Sequence, residues 1–172
     1  MSKIFGIGLS RTGTTSLTEA LKILGYTAKH YPEPTDFDLY DALTDIPVAA
    51  AFEELDQKYS NSKFILTIRD DLKSWGESAN LVMKRPTSEK AYAIREASFG
   101  LRMSAPDTDW PTIHEKHINR VRNYFQSRVQ DLLVLPLEYH DKWQPLCHFL
   151  NKPVPNQPYP WWNRRKTLKI FQ

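Results

Sequence analysis

Residues 6–26 read GIGLSRTGTTSLTEALKILGY, a stretch whose residue types suit the holding of an anion. Gly8, Gly13 and Thr15 stand where a phosphate-cradling GxxxxGK(S/T) loop places its two glycines and its hydroxyl, but the lysine position holds Thr14. Backbone N–H groups of such a loop and the positive end of the helix behind it form an anion nest. Ser10, Thr12, Thr14, Thr15 and Ser16 add hydroxyl donors to it. The cation nearest the loop is Arg11, two residues before Gly13. A second cation, Arg69, directly follows the apolar run KFILTI, and Asp70 comes only after it. A nucleoside triphosphatase needs an acid near such a strand end to hold magnesium. The pattern instead puts positive charge at two strand ends and suits two anionic groups.

These residues must be positioned by secondary structure, and the chain supplies it in alternation. Lys3 to Gly8 is strand-like, and from Ser16 the apolar residues Leu17, Ala20, Leu21 and Leu24 fall at helical spacing, with Gly25 where a left-handed cap belongs. A short strand is expected at Thr27 to His30, then a surface connection through YPEPTDFD and an amphipathic segment around Leu39 to Leu43. Pro47 opens a helix reaching about Tyr59. Residues 63–68 and 132–137 are continuous apolar strands of the kind buried on both faces, with helices expected near 72–84, 88–103 and 112–128 between them. The segment NKPVPNQPYPWWNRR carries four prolines and is expected to run extended over the surface. Strands alternating with helices predict an α/β fold, a three-layer sandwich around a central parallel sheet, with ligands at the carboxyl ends of the strands.

Composition narrows the class. With 172 residues, 41% of them hydrophobic and 12% aromatic, the chain is expected to form one domain, residues 1–172, around a substantial core. A net charge of +3 without any basic run suits a small anionic ligand rather than nucleic acid. The single Cys147 rules out an internal disulfide framework and fits a reducing compartment. The opening residues show no secretory pattern and no window reaches the length of a membrane span, so a cytoplasmic protein without a membrane partner is expected.

The missing lysine bears on the anion. A transferring sulfuryl group bears less charge than a phosphoryl group, so hydroxyls, amides and one arginine suffice without a metal. At this point the chain resembles a small sulfotransferase that uses 3′-phosphoadenosine 5′-phosphosulfate (PAPS) and releases 3′-phosphoadenosine 5′-phosphate (PAP). GLSRTGTTSL resembles the family's 5′-phosphosulfate loop, KFILTIRDDLKSWGES its 3′-phosphate motif, and DLLVLPL with FLNKPVPNQPYPWWN its last strand and C-terminal segment. The resemblance implies PAPS as the sulfuryl donor, no metal, and a small-molecule acceptor. Two other readings stay open: a P-loop nucleotide kinase or triphosphatase, and a non-catalytic PAPS or PAP binder.

The resemblance also implies roles. Arg11 matches the basic residue at the bridging and sulfuryl oxygens, and Thr14 and Thr15 with the amides of Thr12 and Gly13 match the 5′-phosphate cradle. Arg69 matches the 3′-phosphate arginine, for which a bidentate guanidinium is apt; a surface ion pair with Asp70 or Asp71 is its structural alternative. The serine that partners it in the family is Ser78 or Ser74 here. Many members place a histidine base just before a Leu-Pro pair; the matching text TDIP puts Asp45 there. An aspartate is a weak base for an alcohol unless its surroundings raise its pKa from ~3.9, and capping the helix opened by Pro47 is its alternative role. His30, at a strand end, is the other candidate base. His114 and His117 are read as opposite the face carrying Ile118, Val121 and Phe125. Trp75, Trp161, Trp162, Arg164 and Arg165 are candidates for contact with the nucleotide, while Trp110 and Trp143 are read as core.

Overall fold

The structure is a computed structural model that describes residues 2–162. Its centre is β1 (Ile4–Gly6), buried along its whole length because a parallel strand lies on each side: β3 (Ala42–Thr44) and β4 (Lys63–Ile68). β2 (Ala28–His30) lies outside β3 and β5 (Leu132–Pro136) outside β4, giving the parallel order β2-β3-β1-β4-β5. Alternation along the strands sends Ile4, Ala42 and Ile65 to one face, where they meet α1 (Thr14–Ile23) and α7 (Trp143–Leu150). Phe5, Leu43 and Phe64 go to the other, against α2 (Ile46–Ala50), α3 (Phe52–Lys58) and α6 (Trp110–Tyr124). The expected three-layer α/β sandwich is therefore the observed one. From β1 the chain passes through α1 to the sheet edge at β2, returns through β3, then crosses to the far side for β4 and β5. The winding reverses at β1, so the loop after it sits at the switch point where open α/β sheets bind ligands.

Three expectations about elements are corrected. The segment around Leu39 to Leu43 ends in β3, an interior strand, whereas Leu39 itself is 72% exposed. Three residues are too few to show a period, and the strand is specified by its two neighbours. The helix expected from Pro47 to Tyr59 is two helices, because Ala51, at φ −112° and ψ 15°, leaves the helical basin between them; Val48 and Phe52 both reach the core. The helix expected over 88–103 is α5 (Glu89–Phe99), ended by Gly100 in the left-handed conformation at φ 75°. α4 (Leu72–Met83) and α5 close the carboxyl end of the sheet around a third cluster of Leu9, Ile46, Trp75, Ala79, Met83 and Phe99. No helix of the described residues is long and apolar enough to cross a membrane.

α6 buries His114 and His117 on the same stripe as Val121, not opposite it, because each ring has a backbone partner. The His117 Nε2–H donates to the Ile7 carbonyl at 2.7 Å, and His114 Nε2 accepts from the Arg69 amide at 3.4 Å. Burial pushes the His117 imidazole down to about 4. The unfolded chain takes up this proton below pH ~6.5 while the folded chain refuses it until about 4, so stability falls as pH is lowered through that window, by about 3 kcal/mol in total. Urea unfolding at a series of pH values should show this slope, and His117→Gln, which keeps an N–H donor, should flatten it. An unchanged slope in the variant would refute the assignment.

Candidate active site

The loop from Ile7 to Gly13 is fastened on three sides. Gly8 passes so close to β4 that a Cβ would lie 1.9 Å from Thr67 Oγ1, so only glycine fits. The Thr12 hydroxyl donates to the Leu9 carbonyl at 2.7 Å and lies 2.7 Å from Thr67 Oγ1. The buried Trp75 indole N–H donates to the Ser10 carbonyl at 3.1 Å. Arg11 at φ 73° and Gly13 at φ 102° give the loop its left-handed turns, and a Cβ on Gly13 would also meet Leu137 at 2.8 Å. α1 then starts without a side-chain cap and without an acidic residue in its first turn. Its N–H groups and positive dipole end are thus directed at the cavity.

Each arginine at the site is held by a partner. Arg11 Nε donates to Ser78 Oγ at 2.7 Å. Arg69 Nε donates to Glu138 Oε1 at 3.2 Å, and the Asp70 amide donates to Glu138 Oε2 at 3.1 Å. The strand ladder carries Glu138 there, since the Leu137 amide donates to the Ile68 carbonyl at 2.8 Å. The ion pair considered for Arg69 with Asp70 or Asp71 is replaced by this one, and Asp71 caps α4 by accepting from the Ser74 amide at 3.0 Å. Ser74 and Ser78 lie one turn apart on α4 and both line the cavity.

Asp45 and His30 come together at the ends of β3 and β2. The Asp45 carboxylate is 3.3 Å from His30 Nε2, accepts from the Ser10 hydroxyl at 3.0 Å and from the Thr14 hydroxyl at 3.3 Å. His30 Nε2 also lies 3.2 Å from the hydroxyls of Thr14 and Thr15. Asp45 stands at the N-cap position of α2 yet its side chain makes no capping bond, so the capping role is replaced by this polar cluster. Burial pushes its carboxyl above the ordinary carboxylate range, with the His30 charge and the Ser10 hydroxyl working against that rise. Its backbone, at φ 87° and ψ −176°, is in a region that costs a non-glycine residue about 1–3 kcal/mol. The Asp45 N–H donates to the Gly6 carbonyl, and the amides of Val48 and Ala49 donate to the Asp45 carbonyl; these hydrogen bonds hold it there.

All this surrounds one cavity of about 500 Å³ at the carboxyl end of the sheet. Of the expected residues, Ser10, Arg11, Gly13, Thr14, Thr15, His30, Asp45, Arg69, Ser74 and Ser78 line it, and so do Trp161 and Trp162. Thr12 and Ser16 do not: the Thr12 hydroxyl is spent on the loop and β4, and the Ser16 hydroxyl accepts from the Trp162 amide at 3.0 Å, tying the C-terminal segment over the loop. Trp75 is fully buried and offers no ring face to a ligand. Arg164 and Arg165 lie outside the described residues. Sequence reasoning missed Tyr31, Ile46, Val82, Arg95 and Glu138. Tyr31 and Glu138 each adjoin a residue or strand already singled out, while Arg95 looks in sequence like any helix-surface arginine.

The fold is a parallel α/β sandwich whose strand-end loop gathers hydroxyls, backbone amides and an arginine, with threonine at the position a P-loop gives to lysine. A family model described as "Sulfotransferase domain" matches residues 3–38 and 35–168, and the chain belongs to that family. It is similar to "Ava biosynthesis cluster protein M" of Aspergillus versicolor, with 28% identity over an alignment 213 positions long, gaps included, that covers 92% of this chain and 79% of that protein.

Proposed function

We propose that this sulfotransferase moves a sulfuryl group from PAPS to a hydroxyl or amine of a small-molecule acceptor, releasing PAP, by in-line transfer without a metal. The observation that carries the reading is the placement of Arg11 and Arg69 at neighbouring strand ends on one cavity, with threonine and serine hydroxyls between them. The residues present fit such a donor. The uncapped start of α1 suits the 5′-phosphate, and Glu138 occupies only the Nε edge of Arg69, leaving its Nη groups for a 3′-phosphate. A lysine-based triphosphate site is a poor fit, because Thr14 at the lysine position is buried with its hydroxyl turned to Asp45. A cytoplasmic setting belongs to the same reading, supported by the buried, unbridged Cys147.

When bound, PAPS supplies a sulfuryl group already joined to a phosphate leaving group. With the donor bound, Arg11 would hold the bridging oxygen and offset the charge that grows there as the S–O bond breaks. The His30–Asp45 pair takes the proton that the acceptor oxygen loses as it attacks sulfur. Trp161 and Trp162, which the Ser16 bond holds beside the loop, restrict water on that side. Calorimetric titration without metal tests the donor: PAP should bind and ATP should bind far more weakly. Tight ATP binding with weak PAP binding would refute the reading.

The two serines divide the nucleotide between them. Ser74 is one turn nearer Arg69, so Ser74→Ala should weaken PAP selectively over a nucleotide lacking the 3′-phosphate, by about tenfold. Ser78 supports Arg11, so Ser78→Ala should lower kcat more than it weakens PAP. Measured Kd values for both nucleotides decide the matter, and a selective loss in Ser78→Ala alone would reverse the assignment.

A further inference from the structure

The cavity has two ends. Arg69 and Ser74 stand on the β4 side of Arg11, whereas Tyr31, Ile46, Val82, Ala91 and Arg95 line the side reached from β2 and β3. With the nucleotide's phosphates on Arg11 and Arg69, the second end is left for the acceptor, beside the His30–Asp45 pair. Arg95, which lines this end as a cation, is only 7% exposed. Arg95 donates to carbonyls alone: Nη1 to Arg85 at 2.9 Å and Met83 at 3.4 Å, and Nη2 to Val82 at 3.1 Å. Among the described residues no carboxylate lies within ion-pair distance of it. The neighbouring cations are already paired, Lys90 with Glu33 and Arg102 with Glu89 and Glu96, and the Tyr92 ring lies 5.7 Å from the Arg95 guanidinium. The carbonyls at the end of α4 and the face of a ring offset part of this buried charge, and among the described residues no carboxylate is paired with it.

Resting on the sulfuryl-transfer reading above, we propose that Arg95 is a specificity residue that selects acceptors bearing a carboxylate on an apolar body, with the reacting hydroxyl at the other end beside His30 and Asp45. Tyr31 lines the same cavity as Asp45 and Arg95. Ile46, Val82 and Ala91 supply the apolar wall that the body of such a molecule would cover.

The test titrates para-hydroxyphenylpropionate and its uncharged amide into the full chain saturated with PAP. The acid should bind about tenfold tighter than the amide, the effect of one charge-assisted contact. Arg95→Gln should bring the acid to the level of the amide while leaving PAP affinity within about twofold, and Arg95→Lys should keep part of the preference. Equal binding of acid and amide by the unmodified chain, no binding of the acid, or its displacement by PAP would each overturn the proposal. The comparison within the unmodified chain keeps the test decisive even where a variant fails to fold. If PAP does not bind, the donor reading fails, and the same titration on the ligand-free chain still decides the role of Arg95.

Discussion

Replacing Arg11 by alanine is expected to lower kcat by about two to three orders of magnitude while weakening PAP binding far less. The reason lies in when its charge is needed. The bridging oxygen carries little charge in the bound donor and gains it only as sulfur departs, so a guanidinium at that oxygen acts chiefly on the transition state. The loop makes Arg11 suitable for this: φ 73° at Arg11 and the bond from its Nε to Ser78 fix the side chain before the ligand arrives. Arg11→Lys should recover part of the rate, because an ammonium keeps the sign and loses the fork. Single-turnover kinetics with PAPS, alongside PAP titrations, separate the two effects. A variant that loses PAP affinity and rate in equal measure would show that Arg11 serves binding alone.

The second large effect is expected at the His30–Asp45 pair. Asp45→Asn and His30→Gln should each reduce kcat by about two to four orders of magnitude, and the double variant should lose little more, because the two groups accept one proton as a unit. The acid limb of the pH profile follows from Asp45. Burial holds its carboxyl above the ordinary range, so kcat should fall as pH is lowered through an apparent pKa higher than that of a free carboxylate, and this limb should be lost in Asp45→Asn. Stability should move the other way from activity. Asp45→Gly removes a buried carboxylate and frees a backbone held at φ 87°, and it should raise the unfolding free energy by about 1–3 kcal/mol while abolishing turnover. Loss of stability in Asp45→Gly would mean that the bonds from Ser10 and Thr14 outweigh the strain.

The parts of the molecule legible in sequence were those written in contiguous residues. The loop from Gly8 to Thr15 needs its glycines for close approach to Thr67 and for the left-handed turn against Leu137, and those demands leave a mark on the residue types. The apolar run of β4 likewise announces Arg69 at its end. Less was legible where tertiary neighbours decide. β3 has three residues and no period, and only its pairing with β2 and β1 makes it a strand that carries Asp45 to the loop. The meeting of His30 with Asp45 depends on that pairing, in which His30 is opposite Thr44. Both residues were named as rival bases because no spacing in the chain shows that they touch. Arg95 left no mark at all, since a buried arginine on α5 has the same sequence appearance as an exposed one.

The central claim is that this site passes a sulfuryl group from PAPS to an acceptor. Its most direct test incubates the protein with radiosulfur-labelled PAPS and a panel of hydroxylated and amine acceptors in the presence of a metal chelator, and follows both PAP and label. The account predicts that label appears on an acceptor in step with PAP release, and that Arg11→Ala suppresses both. Label that stays on PAPS across the panel, while the same preparation hydrolyses ATP when magnesium is restored, would contradict it.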